Sequence, residues 1–236
     1  WNGVSWSGGN PNSTLNVVIN GNYTVGINTP AANLNCRTLT VNAGATFTVS
    51  SGYYMDIWNG NFINNGNVVF QSNTDVVLRT GIVINNSGAS NFVFEDSSAM
   101  IQLTNIQQTT PVTIKRSTKS LKNFEYTYWS TPVASTFTNT FPPQQNSNAV
   151  YTYQYPTPLP LNGWILQQTP STMTLGKGYA IRGQWCSPYP SCFVTAPQAQ
   201  HTMSFVGIPN NGNISYTSNS TNEIHLIGNP YPSSLD

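Results

Sequence analysis

Apolar and polar residues alternate with period two through much of the stretch 1–110. "CRTLTVNAGATFTV" (36–49) sets the pattern: Leu39 and Val41 alternate with Thr38 and Thr40, an Asn-Ala-Gly turn follows, and Ala45, Phe47 and Val49 then alternate with Thr46 and Thr48. This periodicity puts the apolar set on one face of a strand and the hydroxyls on the other. Short runs of the same kind recur at "NVVI" (16–19), "YTVGI" (23–27), "YYMDIW" (53–58), "NVVF" (67–70), "DVVL" (75–78), "GIVI" (81–84), "NFVF" (91–94) and "MIQL" (100–103). Between them stand "SSG", "NNG" and "NNSG", whose Asn and Gly supply the left-handed backbone of tight turns.

Strands this short fit an antiparallel sandwich or a parallel β-solenoid. Small Asn-rich turns and the lack of a long crossing connection favour the solenoid, with Asn side chains stacking in ladders from coil to coil. Leu39, Val68 and Phe92 lie 29 and then 24 residues apart, which predicts three or four coils of ~24–29 residues. "WNGVSW" (1–6) is placed to cap an open end against edge pairing.

The character changes after Thr104. "NIQQTTP" reads as a linker, and "KRSTKSLK" (115–122), with four of the eight basic residues, as a solvated strand and turn at a domain junction. Further on, Tyr151, Tyr153 and Tyr155 alternate with Thr152 and Gln154 and so share a strand face. "PTPLP" (156–160) interrupts, and "GWILQQ" (163–168) and "GKGYAIR" (176–182) restart strands. The chain is therefore expected to be all-β: a short parallel β-solenoid (β-helix) over 1–112, then an antiparallel β-sandwich over 113–236, incomplete at its C-terminus.

Composition narrows the function. Charged residues make up 6% of the chain and the net charge is +1, against a usual ~25% charged. Such a surface has no field to capture nucleic acid or an anionic membrane. Hydrophobic residues at 38% and aromatics at 12% are enough to drive folding. Solubility then rests on Asn, Ser, Thr and Gln, a surface more natural outside the cell than in crowded cytoplasm. No run of roughly 18 apolar residues is present, so no membrane-inserted helix is expected.

Cys186 and Cys192 flank "SPYPS" and read as a disulfide closing that loop, the alternative being two buried thiols. Cys36, among alternating strand residues, reads as a small buried hydrophobe. No zinc-type spacing occurs, and no cofactor is expected. Asp56, Asp75, Arg79 and Glu95 would have to align across coils to build a polysaccharide lyase, and their spacing does not demand it. Glu95 and Asp96 are strand neighbours and face opposite ways. His201 and His225 come without a G-x-S-x-G elbow, and "GKG" lacks the rest of a phosphate loop. The T-x-T pairs at 38–40 and 46–48 would suit ice binding only if repeated on successive coils, where "YMD", "VVL" and "FVF" stand instead. The expectation is a protein that is not an enzyme. Aromatic rings beside polar groups suit sugars, whose ring faces are apolar and whose edges are hydroxyls. Trp164, Tyr179 and Trp185 are the candidate glycan contacts, with Trp58, Trp129 and the tyrosine row behind them; for each ring the competing role is core packing.

Several stretches carry a family resemblance. "WNGVSWSGGNP", "VVINGNYT", "NCRTLTVNAGATFTV" and "NFINNGNVVF" resemble the N-terminal region of large secreted cell-surface proteins of Bacteroidota, especially flavobacteria. "YTYWSTPV" (126–133), "GKGYAIR", "FVGIPNNG" (205–212) and "LIGNPYPSSLD" (226–236) resemble the module that follows in them. The resemblance implies export by the type IX secretion system, a longer polypeptide ending in a sorting domain, and an extracellular or cell-surface location. It brings no catalytic residues. It implies an adhesin or structural role, with surface glycans, other surface proteins or copies of itself as partners beside the secretion machinery. The alternative is a carbohydrate-binding region of a secreted polysaccharide-degrading protein. Such proteins are O-glycosylated at Asp-Ser/Thr followed by a small or apolar residue, which points to Ser97, although Ser98 follows it.

Overall fold

Four turns of chain, each built from three short strands, form the first half of the molecule. β1 (Asn16–Ile19), β2 (Tyr23–Val25) and β3 (Leu34–Cys36) make the first coil. β4 (Thr38–Val41), β5 (Thr46–Val49) and β6 (Tyr54–Ile57) make the second, and β7 (Phe62–Asn64), β8 (Asn67–Phe70) and β9 (Asp75–Leu78) the third. β10 (Val83–Asn85), β11 (Phe92–Phe94) and β12 (Ala99–Gln102) complete the fourth. Equivalent strands pair in parallel, giving sheets ordered β1-β4-β7-β10, β2-β5-β8-β11 and β3-β6-β9-β12; β13 (Val112–Ser117) follows β11 in the second. A computed structural model describes residues 1–28, 32–121, 125–134, 150–155, 163–167, 171–182, 200–217 and 224–235.

The parallel solenoid expected from the pattern is present, with a shorter coil. Phe92 pairs with Val68 and Val93 with Thr113, so a coil takes 20 to 24 residues. The longer spacing came from measuring Leu39 against Val68, which lie on different sheets; the true partner of Leu39 is Phe62. Two strands went unread, β3 ("LNC") and β7 ("FIN"), because each offers two inward residues amid asparagines.

Inward side chains fill the coils. Leu39, Val41, Phe47, Val49, Met55, Ile57, Phe62, Val68 and Phe70 have no exposed surface, and each such burial stabilises by roughly 1.5–3 kcal/mol. Rings stack along the axis: Tyr23 on Phe47 at 6.1 Å, Phe47 against the edge of Phe62 at 6.0 Å, Phe70 on Phe94 at 4.7 Å. Trp1 and Trp6 close the first coil, each 5.0 Å from Tyr23, and the Trp1 indole donates to the Asn22 carbonyl at 2.8 Å.

Sharp corners leave backbone groups that the sheets cannot pair, and asparagine, both donor and acceptor, serves them. Asn64 is fully buried; its Nδ2 donates to Asn85 Oδ1 at 2.9 Å and to the Asn91 carbonyl at 3.0 Å. Asn85 in turn donates to the Gly88 and Pro111 carbonyls, both at 2.8 Å. An outer row repeats the device, with Asn42 donating to Asn20 at 2.6 Å and Asn86 to Asn65 at 2.8 Å. At another corner a side chain on Gly81 would collide with the Gly60 carbonyl, so adjacent coils approach there backbone to backbone.

After the fourth coil the edge of β10 has no further strand to pair with. Gln108 Oε1 accepts from Val83 N–H and Thr110 Oγ1 from Asn85 N–H, both at 2.9 Å, while the Thr110 hydroxyl donates to the Val83 carbonyl at 3.0 Å. "NIQQTTP" is thus no linker: its side chains stand in for a strand and cover an edge that would otherwise invite pairing.

The chain divides into two compact units, Trp1–Lys115 with Val206–Asn213 and Tyr231–Asp236, and Arg116–Phe205 with Ile214–Pro230. The second unit is built on an antiparallel sheet in which β14 (Tyr126–Trp129), β17 (Tyr179–Arg182), β15 (Val150–Tyr155) and β16 (Trp164–Leu166) lie side by side, with β19 (Ile224–His225) also on β15. One face of it is core: Val150, Thr152 and Ile181 are buried, and Trp129 packs 5.9 Å from the buried Phe205 of β18 (Thr202–Gly207). A sandwich-like antiparallel region therefore follows the solenoid, as the aromatic-rich pattern suggested.

Replacing Asn64 by Ala leaves the Asn85 and Asn91 oxygens without that donor. The expected cost is about 1–3 kcal/mol, seen as a lower urea midpoint at unchanged slope, whereas Asn86→Ala on the exposed row should change stability by less than about 0.5 kcal/mol.

Candidate functional site

The other face of the second unit's sheet is aromatic. Register sets Tyr126 beside Arg182, Tyr128 beside Ala180, Ala180 beside Tyr151, Tyr151 beside Leu166 and Tyr153 beside Trp164. Residues directly across a sheet share a face, as do every second residue along a strand. Tyr126, Tyr128, Tyr151, Tyr153 and Trp164 therefore all project from the side opposite Ile181 and Thr152. Tyr128 is 65% exposed and Tyr126 44%. The rings brace one another: Tyr126 meets Tyr151 edge to face at 6.0 Å, and Tyr153 meets Trp164 at 5.1 Å and 76°. Gly163, at φ +83°, lets the Tyr153 ring lie against the turn, since a Cβ there would come within 2.6 Å of it.

Ala180 is the small residue among these rings, and the gap it leaves is a cleft of 350 Å³ lined by Tyr126, Tyr128, Tyr151, Trp164 and Ala180. That is near the lower end of the ~300–1,000 Å³ typical of ligand sites. The lining is ring carbon with phenol groups and carries no ionised side chain. Burial, and then the neighbouring Tyr151, push the Tyr126 phenol above its usual pKa while Arg182 pulls it down, so the hydroxyl stays a neutral hydrogen-bonding group at ordinary pH. Such a surface can stack on the apolar face of a ligand and hydrogen-bond its edge.

Of the residues singled out for glycan contact, Trp164 lies in this cleft. Tyr179 is 2% exposed and projects from the opposite, core face; its hydroxyl accepts the Thr174 N–H at 2.8 Å, so it packs and holds a turn. Trp185, Cys186, Cys192 and the Tyr155 side chain lie outside the described residues. Ser97 is exposed in a left-handed turn at φ +62°, its hydroxyl 3.4 Å from Asp96 Oδ2. Tyr126 and Tyr128 were missed as contacts, although "YTYW" alternates as "YTYQY" does and carried the signal.

The solenoid's charged residues do not gather as a lyase would need. Arg79 grips the buried Asp56 through Nε at 2.9 and 3.0 Å and Nη2 at 2.7 Å, and lies 4.0 Å over the Trp58 ring. The hydrogen bond to Asp56, and its charge, raise the Arg79 pKa further. Glu95 instead pairs with Lys115 at 2.8 Å. The threonine pairs fall on two sheets, and in the next coil Thr40 meets Ile63 and Thr48 meets Val69. In the second unit, His225 Nδ1 lies 3.1 Å from the Tyr216 hydroxyl, and burial lowers the His201 pKa. Among the described residues, no group of three or more His, Cys, Asp or Glu is placed to hold a metal, and no helix is long and apolar enough to cross a membrane. Cys36 is a free thiol with no exposed surface, its pKa pushed up to about 12 by burial and, second, by Asp56.

These features define an all-β protein that joins a parallel solenoid to an antiparallel region with an exposed aromatic face. Residues 59–236 match the family described as a domain of unknown function, DUF8693, and the chain belongs to that family. The match takes in the third and fourth coils and the second unit. No curated protein and no solved structure matches the chain.

The Cys36 thiol should resist thiol reagents at pH 8 in the native protein and react stoichiometrically once urea unfolds it. Its folded pKa lies above the ordinary thiol value of 9, so the unfolded chain loses that proton first. Stability is therefore expected to fall as pH rises from about 9 towards 12, a slope that Cys36→Ala should flatten.

Proposed function

We propose that this is a non-enzymatic extracellular protein that works at the cell surface as an adhesin, with the solenoid as an uncharged spacer and the aromatic face as its contact with glycans. The observation that carries the reading is the set of five aromatic side chains on one partly exposed sheet face, around a cleft without charge. The paired charges of the solenoid support it: Asp56 with Arg79 and Glu95 with Lys115 hold structure together and leave little to act on a substrate. A near-neutral surface rich in hydroxyls and amides suits a protein outside the cell. Export through the type IX system and attachment by a sorting domain in a longer polypeptide follow from the family resemblance. The same face would serve a carbohydrate-binding region of a polysaccharide-degrading protein, the difference lying in which domains accompany it.

The test is retention of the purified chain on insoluble and immobilised polysaccharides, with an assay for released reducing ends alongside. Retention without release is expected, and Tyr128→Ala should weaken it about ten-fold, ~1.4 kcal/mol. Failure to bind any polysaccharide offered would remove the glycan contact, and release of reducing ends would remove the non-enzymatic reading. Antibody labelling of intact cells, expected to be positive, tests the location.

A further inference from the structure

We infer that Ala180 is the specificity-determining residue of the aromatic face, and that the slot above it takes one ring of a neutral hexopyranose chain whose hydroxyls are all equatorial, as in a β-linked gluco-configured polysaccharide. This rests on the glycan reading above and sharpens it. Across the sheet the order is Tyr128, Ala180, Tyr151. The two tyrosines stand on strands separated by the one that carries Ala180. With neighbouring strands ~4.8 Å apart, their backbones lie ~9.6 Å from each other. A flat ring in van der Waals contact with an aromatic ring on each side, at ~3.5–4 Å from each, needs ~7–8 Å. One sugar ring fits such a gap edge-on, and two do not.

Both faces of the inserted ring would then meet aromatic carbon. A pyranose with every hydroxyl equatorial presents C–H groups on both faces. An axial hydroxyl, as in manno- or galacto-configured sugars, is pressed against one tyrosine and stripped of water without a partner, a desolvation that costs affinity. The slot therefore discriminates between epimers by an unpaired polar group, a stronger filter than size alone.

Charge selects as well. The lining consists of uncharged side chains, Tyr126, Tyr128, Tyr151, Trp164 and Ala180, which complements an uncharged chain. Arg182 stands beside Tyr126, one alternate position along β17 from Ala180 and outside that lining. Ala180 itself is 3% exposed, at the bottom of the slot. Any larger side chain there rises between the two tyrosines and occupies the volume the sugar would take.

The experiment is isothermal titration of the whole chain, its Ala180→Leu and Ala180→Val variants, and Tyr128→Ala, with cellohexaose, mannohexaose, β-galactohexaose and hexagalacturonate. Near-ultraviolet circular dichroism and urea midpoints monitor the fold. Cellohexaose is expected to bind at least ten-fold more tightly than the other three. Ala180→Leu should abolish that binding and Ala180→Val weaken it five-fold or more; if the Leu variant misfolds, the Val variant decides. Tyr128→Ala should lower affinity and narrow the preference over mannohexaose. Wild-type binding that survives in the folded Ala180 variants would overturn the role of Ala180 and leave the glycan reading in place. Equal or tighter binding of the axial or acidic chains would overturn the sugar class alone. No binding of any chain by the wild type would overturn the inference, and failure on the polysaccharides as well would take the glycan reading with it.

Discussion

A stack of short parallel coils must find partners for backbone N–H and C=O groups at every corner and along every terminal edge, because leaving them buried and unpaired costs more than the coils gain by stacking. This protein answers with side-chain amides. Asn64 and Asn85 sit inside the corner, where a charged group would be too costly and an apolar one would leave carbonyls without donors. Gln108 and Thr110 meet the same requirement at the edge of β10. Asparagine at the turns and neutral polar residues at the edge are therefore consequences of the architecture before they are features of its surface.

That choice bears on function. Where amides and hydroxyls supply both corner bonding and solubility, charge is not needed for either. The ion pairs described in the solenoid brace neighbouring coils: Asp56 and Arg79 lock β6 to β9 with Trp58 stacked beside them, and Lys115 reaches Glu95 beyond β11. The second unit divides its aromatic residues between two tasks by strand alternation. Trp129 and Tyr179 face the core, while Tyr126, Tyr128, Tyr151, Tyr153 and Trp164 face away from it. A shift of one residue in the register would exchange the two sets, so the exposed face depends on the pairing of β14 and β15 to either side of β17.

How legible these features were depended on the range of the interaction. β4 and β5 each hold four residues in strict alternation, and their ends were read correctly. β3 and β7 were invisible because three residues cannot display a period. The Asn ladders could be foreseen as a device but not placed, since Asn64 finds Asn85 only once coil length is known. "NIQQTTP" looked like a linker because its amide-rich composition is the same whether the amides face water or a strand edge. Tyr179 and Ala180 are adjacent in sequence, yet one belongs to the core and the other to the cleft. Strand alternation requires such a division, but alternation alone does not say which side is covered.

By itself the sequence determined the all-β character, the parallel solenoid followed by an antiparallel region, and the scarcity of charge. Each of these is written in local periodicity, turn residues or composition, which need no knowledge of distant contacts. Tertiary structure decided coil length, edge protection, the pairing of Arg79 with Asp56 and the collection of five aromatic residues around Ala180. Those depend on which strands lie next to each other, and neighbours 20 to more than 50 residues apart, such as Val93 with Thr113 and Tyr128 with Ala180, are brought together by folding.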